Sequence, residues 1–153
     1  MGGGIVCEIK DLVDGLKHSD DKYAYQCLKQ LEYESNRSAI VYPFFESFVE
    51  MLDDVNSYIR TRGIILIAAN AKWDVDYKID EIIDKYLKHI MDDKSITARQ
   101  CIKVLPSLVK YKPDLKGCVV DALHKAKPER YNDSMQSLIL EDIRKSMEAI
   151  NKC

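Results

Sequence analysis

Helix breakers are scarce in this chain: six Gly and four Pro are spread over 153 residues, and three of the Gly are consecutive at 2–4. Long stretches are therefore free to run as helix. No run approaches the ~18 consecutive apolar residues of a membrane-crossing helix, and the start lacks an apolar run of signal-peptide length. No segment sustains the period-two alternation of a half-buried strand, so a sheet is not expected. The five cysteines, Cys7, Cys27, Cys101, Cys118 and Cys153, form no CxxC pair and are odd in number. Cys27, Cys101 and Cys118 fall on apolar stripes, where a thiol acts as a small hydrophobe; this is the usage of a reducing, cytoplasmic setting. There is no GxSxG, glycine-rich phosphate loop or HExxH. Of the three histidines, His89 is followed by Asp92 and Asp93 at helical ligand spacing, and these fall in a helix-ending turn. Neither a metal nor another cofactor is expected.

Charge of one sign is not in excess overall, but it is uneven. The net charge is −2, yet residues 1–76 hold eight Lys/Arg against thirteen Asp/Glu, and residues 77–153 hold fifteen against twelve. Such a balance gives no global attraction to phosphate or anionic lipid. What is abundant is apolar sequence at helical spacing. Eight stripes can be followed. Ile9, Leu12, Val13 and Leu16 lie on the first, and Ala24, Cys27, Leu28 and Leu31 on the second. Phe44, Phe45, Phe48, Val49 and Leu52 follow Pro43, which suits a helix's first turn. The fourth, centred on Gly63 to Ala69, is apolar all round and should be the most buried. Ile79, Ile83, Tyr86 and Leu87 mark the fifth. Ala98, Cys101, Ile102 and Leu105 mark the sixth, which Pro106 should kink. Leu115, Cys118, Val119 and Leu123 mark the seventh, and Ile139, Ile143 and Ile150 the last.

Polar turns recur near Asp20-Asp21, Asp53-Asp54, Asp92-Asp93 and Pro128-Glu129, each joining two amphipathic segments. A repeat of about 33 to 39 residues predicts stacked helical hairpins, because one hairpin cannot bury its own apolar face. Residues 1–4 read as a flexible leader and 5–151 as one repeat domain.

In two of these turns an Asp precedes an Arg by six residues: Asp54 with Arg60, and Asp93 with Arg99. This pattern resembles the HEAT repeat. The first and last repeats depart from it, with Gln26 and Gln136 at the Arg position. The runs Ser57-Tyr58-Ile59-Arg60-Thr61-Arg62-Gly63, Ala68-Ala69-Asn70-Ala71-Lys72-Trp73-Asp74 and Thr97-Ala98-Arg99-Gln100-Cys101 are similar to a group of small bacterial HEAT-like proteins. Some of that group carry a label for iron–sulfur cluster assembly. The resemblance implies an all-α, right-handed solenoid of about four hairpins. It also implies that Asp54, Arg60, Asp93 and Arg99 form a structural ladder of charge pairs between stacked repeats.

In such solenoids the second helix of each hairpin lines a concave face. On that basis Arg62, Lys72, Trp73, Gln100, Lys103 and Lys110 are expected to form a binding surface for a protein or acidic peptide, with no enzymatic activity. The alternative is a nucleic-acid-binding protein or a HEAT-like alkylpurine DNA glycosylase, since such glycosylases use aromatic residues and an Asp, here matched only by Trp73-Asp74.

Overall fold

Side-chain oxygens placed just before the apolar stripes start three of the helices. Asp20 accepts from the backbone N–H of Lys22 and Tyr23, Asn56 from that of Tyr58, and Asn132 from that of Met135. Each satisfies donors that a helix start leaves open. The computed structural model describes residues 2–153, with side chains from Glu8 onward. Eight α-helices result: α1 Gly2–Gly15, α2 Asp21–Arg37, α3 Phe45–Met51, α4 Ser57–Ala69, α5 Lys78–Leu87, α6 Ser95–Tyr111, α7 Lys116–His124 and α8 Asp133–Asn151. Helix accounts for 79% of the chain, and no strand occurs among the described residues. No described helix is long and apolar enough to cross a membrane. Of the residues read as a leader, Met1 lies outside the described ones, and the backbone of Gly2 to Gly4 belongs to α1.

The chain divides into two compact units, one ending at Val75 and the other beginning at Asp76. In the first unit α1 packs on α2, α3 on α4, and α2 on α4. As its all-round apolar sequence predicts, α4 is covered on several sides: Ile59, Ile64, Leu66, Ile67 and Ala68 are all buried. Gly63 permits this closeness. A Cβ there would lie 2.8 Å from the carbonyl oxygen of Phe48 and 2.9 Å from the Cβ of Met51 on α3.

Both ends of α4 are tied to α2 or its approach. Near the start, Arg62 donates to the carbonyl of Leu16 at 2.8 Å and pairs with Asp21 at 3.2 Å. Past the end, the indole N–H of Trp73 donates to the carbonyl of Ser35 at 2.7 Å, and the Asn70 amide donates to the Ser35 hydroxyl at 3.1 Å. The Tyr42 hydroxyl donates to the buried Asp74 carboxylate at 2.6 Å.

In the second unit α6 packs on α8, and α7 touches both. Buried Lys112, just past α6, pairs with Asp80 on α5 at 2.6 Å and lies 4.5 Å from the centre of the Tyr77 ring. Tyr77 precedes α5 in the left-handed region, at φ 58°.

Pro106 sits inside α6 and has no N–H to give the carbonyl of Ile102, one turn back. That carbonyl is not orphaned, because the buried Ser146 hydroxyl of α8 donates to it at 3.0 Å. A helix-breaking residue has thus become an inter-helix contact. Ser146→Ala should destabilise the protein by about 1–3 kcal/mol, the cost of leaving a buried carbonyl unmet. In a Pro106→Ala background, where the backbone N–H is restored, the same change should cost about 1 kcal/mol less. Urea unfolding of the four proteins of this double-mutant cycle measures the coupling, and equal costs in both backgrounds would remove the compensation.

Candidate functional site

The six expected binding residues divide between the units. Arg62, Lys72 and Trp73 belong to the first, and Gln100, Lys103 and Lys110 to the second. Arg62 corrects the expectation of a solvent-facing cation: it is only 6% exposed, with its guanidinium spent on Leu16 and Asp21. The reason is visible on α4, where Arg62 lies three residues after buried Ile59 and four before buried Leu66, on the apolar stripe itself. Lys72 is half-buried and donates to the Asn36 side chain at 2.9 Å. Trp73 is half-buried and anchored to Ser35. Gln100 is half-buried, whereas Lys103 and Lys110 are exposed, with the Lys110 ammonium 5.3 Å from the centre of the Tyr111 ring.

The expected ladder residues are paired differently from the implied pattern. Arg60 turns back onto its own turn, donating to the carbonyls of Asp54 and Val55 at 2.9 and 3.1 Å. Asp93 takes a bond from Arg130 at 2.8 Å, and Arg99 reaches the buried Asp142 of α8 at 2.6 Å. The hydrogen bond to Asp142, opposed by partial burial, holds the Arg99 guanidinium above its usual pKa. Asp–Arg pairs between segments about 40 positions apart do occur, Arg62–Asp21, Arg130–Asp93 and Arg99–Asp142, and the first two use aspartates of the polar turns.

Among the described residues little else is poised for chemistry. Burial pushes the Cys101 thiol well above its usual pKa, with the Asp92 carboxylate adding to the shift, so it stays protonated and inert. Cys27 is buried; Cys118, expected on an apolar stripe, is instead exposed, because α7 turns Val119 and Leu123 inward. Cys7 lies outside the described side chains. Among the described residues no group of three His, Cys, Asp or Glu could hold a metal ion. The ring Nδ1 of His89 donates to the Asp92 carboxylate at 2.7 Å, a local pair closing the 3-10 turn that follows α5.

One concavity lies in the first unit. It is a cleft of about 740 Å³ where α1 meets α2. Exposed Glu8 and Asp11 and half-buried Glu34 line it together with Ile9, Leu12 and Ile40, and Arg37 is its one cation among the described lining residues. A smaller cleft of about 340 Å³ between α6 and α8 gathers Arg99, Lys103 and Lys145 around Asp142.

No protein-family model, curated protein or solved structure matches the chain. Its function must therefore be argued from these surfaces alone. The acidic cleft was missed by sequence reasoning because its carboxylates come from two helices. The one available signal was the acidic excess of residues 1–76.

Proposed function

We propose that the chain is a non-enzymatic protein-interaction module of HEAT-like hairpins, stacked as a right-handed solenoid, and that its partner is a basic, partly apolar peptide segment. The acidic cleft of the first unit carries this reading. Three carboxylates against one guanidinium favour a cationic ligand, and the apolar side chains between them offer area to bury. Support for the hairpin architecture is that second helices pack together within each unit, α2 on α4 and α6 on α8. The acidic partner expected from Arg62, Lys72, Trp73, Gln100, Lys103 and Lys110 is less favoured, since Arg62 is internal and Lys72 is bonded to Asn36. The glycosylase alternative is weakened in the same way, since Asp74 is buried against Tyr42 and Trp73 is bonded to Ser35.

Fluorescence polarisation with two labelled peptides of equal length tests the proposal, one built from Lys and Leu, the other from Glu and Leu. The Lys peptide should bind more tightly by at least about tenfold, with the preference fading as salt rises. Asp11→Lys combined with Glu34→Lys should reverse the order. Equal binding of both peptides, or a preference for the Glu peptide by the unaltered protein, would refute the cleft as the site.

A further inference from the structure

The outward face of α2 has a composition unlike the rest of its unit. Residues at successive helical turns alternate between aromatic and cationic: Tyr25, Lys29, Tyr33 and Arg37. Four residues rise about 6 Å along a helix, and each position is turned only slightly from the one before, so the four form a row. The two Tyr are each 54% exposed, and Lys29 and Arg37 are exposed beside them. Lys22 and Asn36 fall on the same face. No carboxylate lies within this face, although residues 1–76 are acidic overall. Glu32 stands at its edge, half-buried, with its carboxylate 3.5 Å from the Lys29 ammonium.

The geometry inside the row is specific. The Lys29 ammonium lies 5.4 Å from the centre of the Tyr25 ring, and the Arg37 guanidinium 5.1 Å from that of Tyr33, with an N–H of Arg37 donating to the Tyr33 hydroxyl at 3.2 Å. Each cation holds one side of its ring, and the ring remains half open to solvent. The result is two aromatic platforms about 12 Å apart, each with a positive charge beside it.

From this row we propose that the outer face of α2 binds single-stranded nucleic acid. Bases stack on Tyr25 and Tyr33, and phosphates lie against Lys29, Arg37 and Lys22. Stacking on aromatic side chains and charge along the backbone are the two components of sequence-tolerant single-strand binding. A duplex keeps its bases stacked internally and offers such platforms nothing. An acidic peptide would satisfy the cations but leave the rings unused, so it fits the row less well. The row and the cleft share Arg37, but Tyr25, Lys29 and Tyr33 do not line the cleft, so variants at these three positions test the row separately.

The experiment is an anisotropy titration of the full chain with labelled short oligo(U) and oligo(dT), a duplex of equal length, and a poly-glutamate peptide. Single strands should bind more tightly than either control. With three cations engaged, the logarithm of affinity should fall against the logarithm of salt with a slope of about −2, at roughly 0.7 per neutralised phosphate. Tyr25→Ala and Tyr33→Ala should each weaken binding by about tenfold or more, and Lys29→Glu should weaken it and flatten the salt slope. All three side chains are exposed, so the variants should keep the wild-type circular dichroism and melting curve. No binding at low salt, equal binding of duplex or poly-glutamate, or full affinity in both Tyr variants would overturn the proposal.

Discussion

Replacing Arg62 by Glu should destabilise the first unit by about 3–5 kcal/mol, enough to unfold a marginal domain. The guanidinium is buried and spans three segments: it sits on α4, bonds the carbonyl of Leu16 just after α1, and reaches the Asp21 carboxylate at the start of α2. A carboxylate in its place faces that carbonyl and that second carboxylate with no donor to offer. Arg62→Met is the milder comparison. It keeps much of the aliphatic volume and loses the charge-assisted bond to the carbonyl, worth about 1.5–3 kcal/mol. The Asp21 side of the bridge contributes less, since that carboxylate is 58% exposed, and Asp21→Ala should cost under about 1 kcal/mol. Lys103→Glu is the control. Its side chain is exposed on α6, so the change should stay within about 0.5 kcal/mol of the unaltered protein. Urea unfolding read by the fluorescence of Trp73, the single Trp and itself in the first unit, orders these variants. If Arg62→Glu were as mild as Lys103→Glu, the buried bridge would contribute nothing.

That Arg62 was expected in solvent shows where local reasoning stops. The eight helices were legible because each apolar stripe is a local pattern, and each turned inward: Leu31 on α2, Phe48 on α3, Ile79 on α5 and Ile139 on α8 are all fully buried. The caps are equally local, since Asp20 and Asn56 act on N–H groups two or three residues away. Partners far along the chain were not. Arg99 and Asp142 are 43 positions apart, and Arg62 and Asp21 are 41 apart. Nothing in the spacing of Asp93 and Arg99 distinguishes a ladder from two separate pairings with α8 and with Arg130.

The same limit applies to the candidate site. A cationic side chain beside an apolar run reads as a surface group, yet the position of Arg62 between Ile59 and Leu66 places it inside the stripe. Trp73, expected on the binding surface, is instead bonded to the carbonyl of Ser35, 38 positions away, which no local spacing reveals. The Tyr–Lys–Tyr–Arg row of α2 could have been found, because all four residues lie on one helix at constant spacing. The acidic cleft could not, because Glu34 meets Glu8 and Asp11 only after α1 and α2 have packed.

Leu66→Ala should cost about 2–5 kcal/mol, through lost apolar transfer and the cavity left behind. Leu66 is fully buried near the centre of α4, with α3 against that helix at Gly63 and α2 packed on it as well. Collapse around the truncated side chain has little room, because α3 already lies so close to α4 that a Cβ at Gly63 would be 2.8 Å from the Phe48 carbonyl oxygen. The cost should therefore fall in the upper part of that range. Ile65, the next residue, is only half-buried, and Ile65→Ala removes the same number of carbons from the same helix. Helix propensity favours the Ala in both cases, so it does not separate them. Enclosure does, and the Ile65 variant should lose markedly less, by about 1 kcal/mol or more. The two melting curves, again followed through Trp73, make the comparison. Equal losses at both positions would mean that α4 is covered no more closely on its Leu66 side than on its Ile65 side, contrary to the packing that Gly63 allows.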